Sequence, residues 1–171
     1  MWTLRQFVAS AVAELCSAFE RHGYNPTPII DLGVLVASAD GKVDEAEREM
    51  LLDVFQTLLQ TKLTADVVDI LVSAGLEVID EAGAASRARL VGAILRDCDA
   101  VEPGVRVALA LAFATTGLEA AERVVVKRVA DAGGLLPARL DAITEEVREY
   151  AEDVGGPTKI RKAIRPSLPP S

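Results

Sequence analysis

Five carboxylates crowd into ten residues: Asp40, Asp44, Glu45, Glu47 and Glu49, with Gly41 directly after the first. Asp40 closes an apolar helical pattern, where the helix dipole disfavours an anion by a few tenths to ~1 kcal/mol. A residue that breaks a local rule without local gain is a candidate for function. Asp40, Asp44 and Glu47 bracket a sharp turn, so their carboxylates can converge on one hard cation. A donor set made only of oxygen suits Ca²⁺ or Mg²⁺ better than a softer metal. The spacing D-G-x-x-D-x-x-E is not an EF-hand loop, which needs more oxygens ahead of its glycine. A purely structural reading covers the same residues. Asp40 accepts backbone N–H groups as an Asx-turn, Asp44 and Glu47 form a capping box, and Glu45 and Glu49 lie on a solvated face. Both readings fit the residues.

Little else in the chain has the spacing of a reactive site. Asp97, Asp99 and Glu102 form a second acidic loop, able to add oxygens only if the fold brings it to the first. His22 is the single histidine and falls in the last turn of a helix, where a cation suits the dipole. One histidine with no nucleophile pattern gives no basis for a Ser/His or Cys/His mechanism. There is no P-loop and no G-x-G-x-x-G. Cys16 and Cys98 are too few and too far apart for a disulfide framework or a zinc site, which makes a reduced cytoplasm the expected compartment. The reading is a non-enzyme.

The elements that hold the acids are helices. Leu4, Phe7, Val8, Ala11, Val12, Leu15 and Phe19 recur at amphipathic spacing, and Gly23 ends that helix. Thr27 is placed to cap a second helix with Pro28 at its first position. Ile29, Ile30, Leu32, Val34, Leu35 and Val36 make this helix apolar nearly all round, and therefore central. Gly41 takes the left-handed position after it, and a third helix starts at Asp44 with Leu51, Leu52, Phe55, Leu58 and Leu59 on one face. Thr64 caps a fourth helix, with a break expected near Gly75 and an end by Gly83. A fifth covers 86–97 on Leu90, Val91, Ile94 and Leu95, and a loop over 99–104 contains Pro103. The sixth, 105–116, is again apolar nearly all round. Gly117 ends it, a seventh runs over 119–132, and Pro137 opens an eighth carrying Leu140, Ile143, Val147, Tyr150 and Val154.

The acidic hairpin has an echo. Gly41-Lys42-Val43-Asp44-Glu45-Ala46-Glu47-Arg48 is repeated later as Gly117-Leu118-Glu119-Ala120-Ala121-Glu122-Arg123, one residue shorter. Each glycine follows a nearly all-apolar helix and precedes an acid-capped one. Thr116 stands where Asp40 stood, so the second copy lacks the first acid. The predicted fold is all-α: a compact bundle of seven to eight helices built from two helix-hairpin repeats, with the apolar helices in the centre.

Ala37-Ser38-Ala39-Asp40-Gly41-Lys42-Val43-Asp44 with Glu47, and the weaker Thr116-Gly117-Leu118-Glu119 with Glu122, resemble the TerB (tellurite-resistance B) family over residues 29–135. Its relatives include the N-terminal part of some membrane-bound DnaJ-like proteins. The resemblance implies an all-helical domain, divalent metal at the acidic hairpins, an association with tellurite resistance and stress response, and no catalytic activity.

Composition sets the remaining bounds. The net charge of −8 argues against nucleic acid as a general partner, and aromatics at 4% leave a core of Ala, Val and Leu. The longest uncharged run, 107–118, is too short to span a bilayer; no transmembrane segment is expected. Residues 1–156 read as one domain. Residues 157–171 read as a flexible basic tail containing prolines, with Lys159, Arg161, Lys162 and Arg165 and no acid. Such a tail suits anionic lipid, nucleic acid, an acidic partner or the chain's own acidic surface, or serves only as a solubilising end. The function expected is a cytoplasmic, stress-linked accessory domain with protein partners, binding a divalent cation at Asp40, Asp44 and Glu47. The alternative is a protein-interaction scaffold without metal; oligomeric state is not readable.

Overall fold

A helix that is apolar around nearly its full circumference must be covered on almost every side, and the chain contains two of them. The computed structural model describes residues 3–25, 27–41, 43–59, 64–113 and 118–154. Among these there are eight helices and no strand: α1 (Leu4–Arg21), α2 (Thr27–Ala37), α3 (Glu45–Leu59), α4 (Ala65–Ala82), α5 (Ala84–Asp97), α6 (Val101–Phe113), α7 (Ala120–Ala132) and α8 (Pro137–Val154). In α2 every residue from Leu32 through Ala37 is buried, and in α6 every residue from Val107 through Phe113. The two pack on each other. Around them, α2 is covered by α3, α4, α5 and α7, and α6 by α1, α3, α5, α7 and α8. The central placement expected of both helices is what the structure shows.

Several boundaries differ from the sequence reading. The second helix already includes Thr27, whose N–H donates to Asn25 Oδ1 at 3.0 Å. Gly75 does not break α4. It lies against the Val34 side chain and lets α4 approach α2 without interruption. The fifth helix starts at Ala84, because Gly83 (φ +89°) ends α4 and begins α5 with no loop between them. The sixth starts at Val101 and contains Pro103, whose missing N–H costs nothing in a first turn. Leu90, expected in the core, is 45% exposed; α5 buries Ala88, Val91, Gly92 and Leu95 instead. The expected tail over 157–171, Gly117, and the side chains of Leu58 and Leu59 lie outside the described residues.

Three contacts fix the relative direction of α6 and α8. Near its start, α6 holds α8 through Glu102, which takes Arg139 at 2.7 Å. Further along, Arg106 pairs with Glu146 at 3.1 Å. At the far end the Arg148 guanidinium sits 5.3 Å from the Phe113 ring centre. The two helices therefore run the same way, and Tyr150 closes the end of α8 onto Phe7 of α1 with ring centres 4.6 Å apart. A partly buried ion pair, Arg87 with Asp31, ties α5 to α2. No helix among the described residues is long and apolar enough to cross a membrane.

The tightest crossing is that of α5 with α7 at Gly92. A Cβ there would meet the Val129 carbonyl oxygen, and Ala132 Cβ at 2.7 Å. Backbone cannot yield as a side-chain tip does. Gly92→Ala is expected to destabilise by about 1–3 kcal/mol from overpacking, offset in part by up to ~1 kcal/mol of helix propensity. Thermal denaturation checks this: a variant that melts at or above the parent temperature would mean the two helices are free to separate.

Candidate acidic site

The first hairpin closes by local bonds. Ser38 Oγ donates to Val34 O at 2.6 Å, and the Gly41 N–H to Ser38 O at 2.9 Å. Gly41 has φ +103°, a conformation open to glycine and strained for other residues. At the start of α3 the Asp44 N–H donates to Glu47 Oε2 at 3.0 Å, and the Glu47 N–H donates back to Asp44 Oδ1 at 2.9 Å. This is the reciprocal capping box that the spacing predicts. It satisfies two of the backbone donors that every helix N-terminus leaves over.

The capping arrangement recurs at the start of α7. Glu119 is extended (φ −77°, ψ 163°), and its N–H donates to Glu122 Oε1 at 3.1 Å in a capping-box arrangement. The next bonds correspond as well: Arg48 N–H to Asp44 O and Arg123 N–H to Glu119 O, both 2.9 Å. The turn before it, 114–117, lies outside the described residues.

What the sequence does not reveal is where these glutamates point. A capping-box glutamate ordinarily lies at the surface, yet Glu47 and Glu122 are each only 3% exposed. Their surroundings push both carboxyls up to about 7. Burial is the main cause for each, opposed by the capping N–H. Asp44 and Asp40 add to the shift at Glu47, and Glu47, Asp40 and Glu119 at Glu122. The acids of the two hairpins thus share one electrostatic site. Among the described residues Glu122 Oε2 is buried with no hydrogen-bond partner.

Of the three expected metal ligands, Asp40 and Asp44 are exposed and Glu47 is buried. Among the described residues no three Asp, Glu, His or Cys side chains are grouped so as to hold a metal ion. Glu122 is the buried acid that the expected ligand set left out; the repeat was the available signal. The loop with Asp97, Asp99 and Glu102 is not part of the site. Glu102 lies at the start of α6 and is held below the usual carboxylate range by Arg139 and Arg106, while Glu119 follows the far end of that helix. Asp97 accepts from the Tyr24 hydroxyl at 3.3 Å. His22 Nδ1 lies 2.9 Å from Ala18 O. Neither Cys16 nor Cys98 is in a disulfide, and burial is the main cause raising both thiols, with Glu20 adding at Cys16 and Asp97 at Cys98.

The raised carboxyls give the protein an unusual pH dependence. Unfolded, Glu47 and Glu122 titrate near 4.5; folded, near 7. Between those values the native state binds more protons, so their contribution favours folding at pH 4.5 and is lost as pH rises through 7. The loss is at most about 3 kcal/mol for each group and less where the two share a proton. Glu122→Gln keeps an acceptor for the Glu119 N–H and removes the charge. It is expected to raise the melting temperature at pH 8, by roughly 2–4 °C per kcal/mol, and to change it little at pH 5. Equal shifts at both pH values would show that the native Glu122 does not change its charge between pH 5 and pH 8.

Comparison with known proteins bears on the same residues. No curated protein and no solved structure matches the chain. The profile of the family described as tellurite resistance protein TerB matches residues 27–145, a span running from the start of α2 into α8 and containing both acidic hairpins. The chain belongs to the TerB family.

Proposed function

We propose that the domain is a non-enzymatic accessory protein of stress response that binds a divalent cation where its two acidic hairpins meet. The observation that carries this reading is Glu122 Oε2, buried and, among the described residues, without a hydrogen-bond partner, in a carboxyl on which Glu47 and Asp40 act. Like charges are not gathered in a low-dielectric setting without a counter-charge or a proton. The donors fit a hard cation, since all are carboxylate oxygens. Asp40, Asp44, Glu47 and Glu122 would hold it, with one oxygen of each buried glutamate kept by its capping N–H. The exposed Asp40 and Asp44 side chains would turn onto the buried pair as the ion enters. Bound there, a cation supplies the positive charge that a proton supplies in its absence, so binding below pH 7 releases protons.

Calorimetric titration of Ca²⁺ and Mg²⁺ checks this against Asp40→Asn/Asp44→Asn and against Glu122→Gln. The wild type is expected to bind at least one of the two ions below millimolar, with proton release at pH 6, and both variants to bind more weakly. No binding in that range, or equal binding by the variants, would remove the metal role.

A second reading, a protein-interaction scaffold without metal, has its own support. No three acids among the described residues are grouped around a common point, and capping accounts for Asp44 and Glu47 fully. On this reading Asp44→Ala costs about 0.5–2 kcal/mol as a lost cap, with or without metal. Melting in chelator and in excess Ca²⁺ separates the two. A gain on adding Ca²⁺ that Asp40→Asn abolishes would exclude the scaffold reading. In either case the domain is expected to act in the cytoplasm through protein partners.

A further inference from the structure

The seam between α5 and α7 brings three exposed arginines and an apolar cavity into one line. At the near end, Ala84 of α5 and Ala121, Val124 and Arg128 of α7 share a cavity of about 280 Å³ with Leu35 and Ile79. Val124, one of its walls, is 46% exposed, so the cavity is reached from solvent. Midway along, Gly92 lies against Val129 and Ala132. Beyond α7, a Cβ on Gly134 would lie 3.9 Å from Arg96 Nε. The two helices therefore run side by side in the same direction. Arg89, Gly92 and Arg96 have the i, i+3, i+7 spacing of one helix face, and through Gly92 that face is the one turned to α7. Arg89, Arg96 and Arg128 are all exposed. Among the described residues, Arg5, Arg48, Arg87, Arg106, Arg139 and Arg148 each hold a carboxylate, whereas these three hold none.

We infer that this seam binds an acidic amphipathic helix of a partner protein, with an apolar side chain in the cavity and carboxylates further along on Arg128 and Arg89, then on Arg96. Spacing selects a helix. Arg89 and Arg96 are two helical turns apart, about 10.5 Å along α5. A helix laid along the seam presents its own face at the same interval. An extended segment has same-side residues about 6.6 Å or about 13 Å apart and misses it. Charge selects the sign, because a guanidinium fork matches a carboxylate in two bonds. Exposed ion pairs contribute little affinity. The residue in the cavity supplies most of it, and the arginines decide which partner is admitted. Nucleic acid fits poorly. Ser38 and Ala39 also line the cavity and Asp40 comes next in the chain, so a continuous phosphate backbone meets like charge there. A second copy related by a two-fold axis would set arginine against arginine. Binding here presupposes that the domain acts through protein partners, as proposed above, and needs no cation.

Fluorescence anisotropy on the full chain, in chelator, tests this with a labelled Ala-based helical peptide. The peptide carries Leu at one position and Glu four and eleven residues further on, all on one face. A second peptide has the reverse order, since a helix can lie in either direction. One of the two is expected to bind in the micromolar range, and its Glu→Gln form severalfold more weakly. Arg89→Gln/Arg128→Gln and, separately, Val124→Gln are expected to weaken binding severalfold. Their melting temperatures should stay close to the parent's, because all three positions are exposed. No binding of either peptide would overturn the proposal. Equal binding by the variants would sink the seam and leave the protein-partner reading standing. Tighter binding of a single-stranded oligonucleotide than of either peptide would sink both. Sedimentation showing a self-associated chain that Arg89→Gln/Arg128→Gln dissociates would make the occupant a second copy and overturn the proposal as well.

Discussion

A helix with apolar side chains around nearly its whole circumference has almost no face to leave in water, and α2 and α6 both meet that description. Covering them takes the other six helices. At the C-terminal ends of the central pair the backbone leaves unpaired carbonyls, and the helix that follows each leaves unpaired N–H groups. Caps are therefore compulsory at both junctions. Glu47 and Glu122 make them, and each cap abuts the packed centre, so each glutamate is carried inside with its backbone partner. Burial of the carboxylates is thus a by-product of where the caps must go.

The electrostatic outcome stems from that placement. One cap-bound glutamate beside a core is a modest expense, because its N–H partner offsets part of the desolvation. Two such glutamates acting on each other, with Asp40 acting on both, exceed what the backbone can offset. The pair therefore favours its protonated form, and its charge depends on pH. A structural necessity of the fold thereby couples the packing of the two caps to protonation.

Much of this is legible in the residues. Periodicity locates the helices because eight separate apolar patterns are interrupted by Gly, Pro and capping residues at the correct offsets. The capping boxes are readable because D-x-x-E and E-x-x-E come directly after a break. Burial of Glu47 is not readable: local spacing fixes the cap bond, whereas exposure depends on which helices lie across it. The start of α6 is hidden because Pro103 reads as a loop signal, although the first turn of a helix tolerates it. Gly75 and Leu90 mislead for a related reason. A glycine beside Val34 serves packing between helices, and a leucine on α5 lies outside because α7 occupies the other flank. Each of these depends on partners remote in sequence.

The two thiols have a consequence for chemistry under oxidising stress. Cys16 and Cys98 are held in their neutral form by apolar surroundings and by neighbouring carboxylates. The thiolate is the species that attacks oxidants, electrophiles and soft metals. Raised thiols leave less of that species at neutral pH, so alkylation of Cys16 and of Cys98 in the folded chain is expected to be slower than that of an unperturbed thiol.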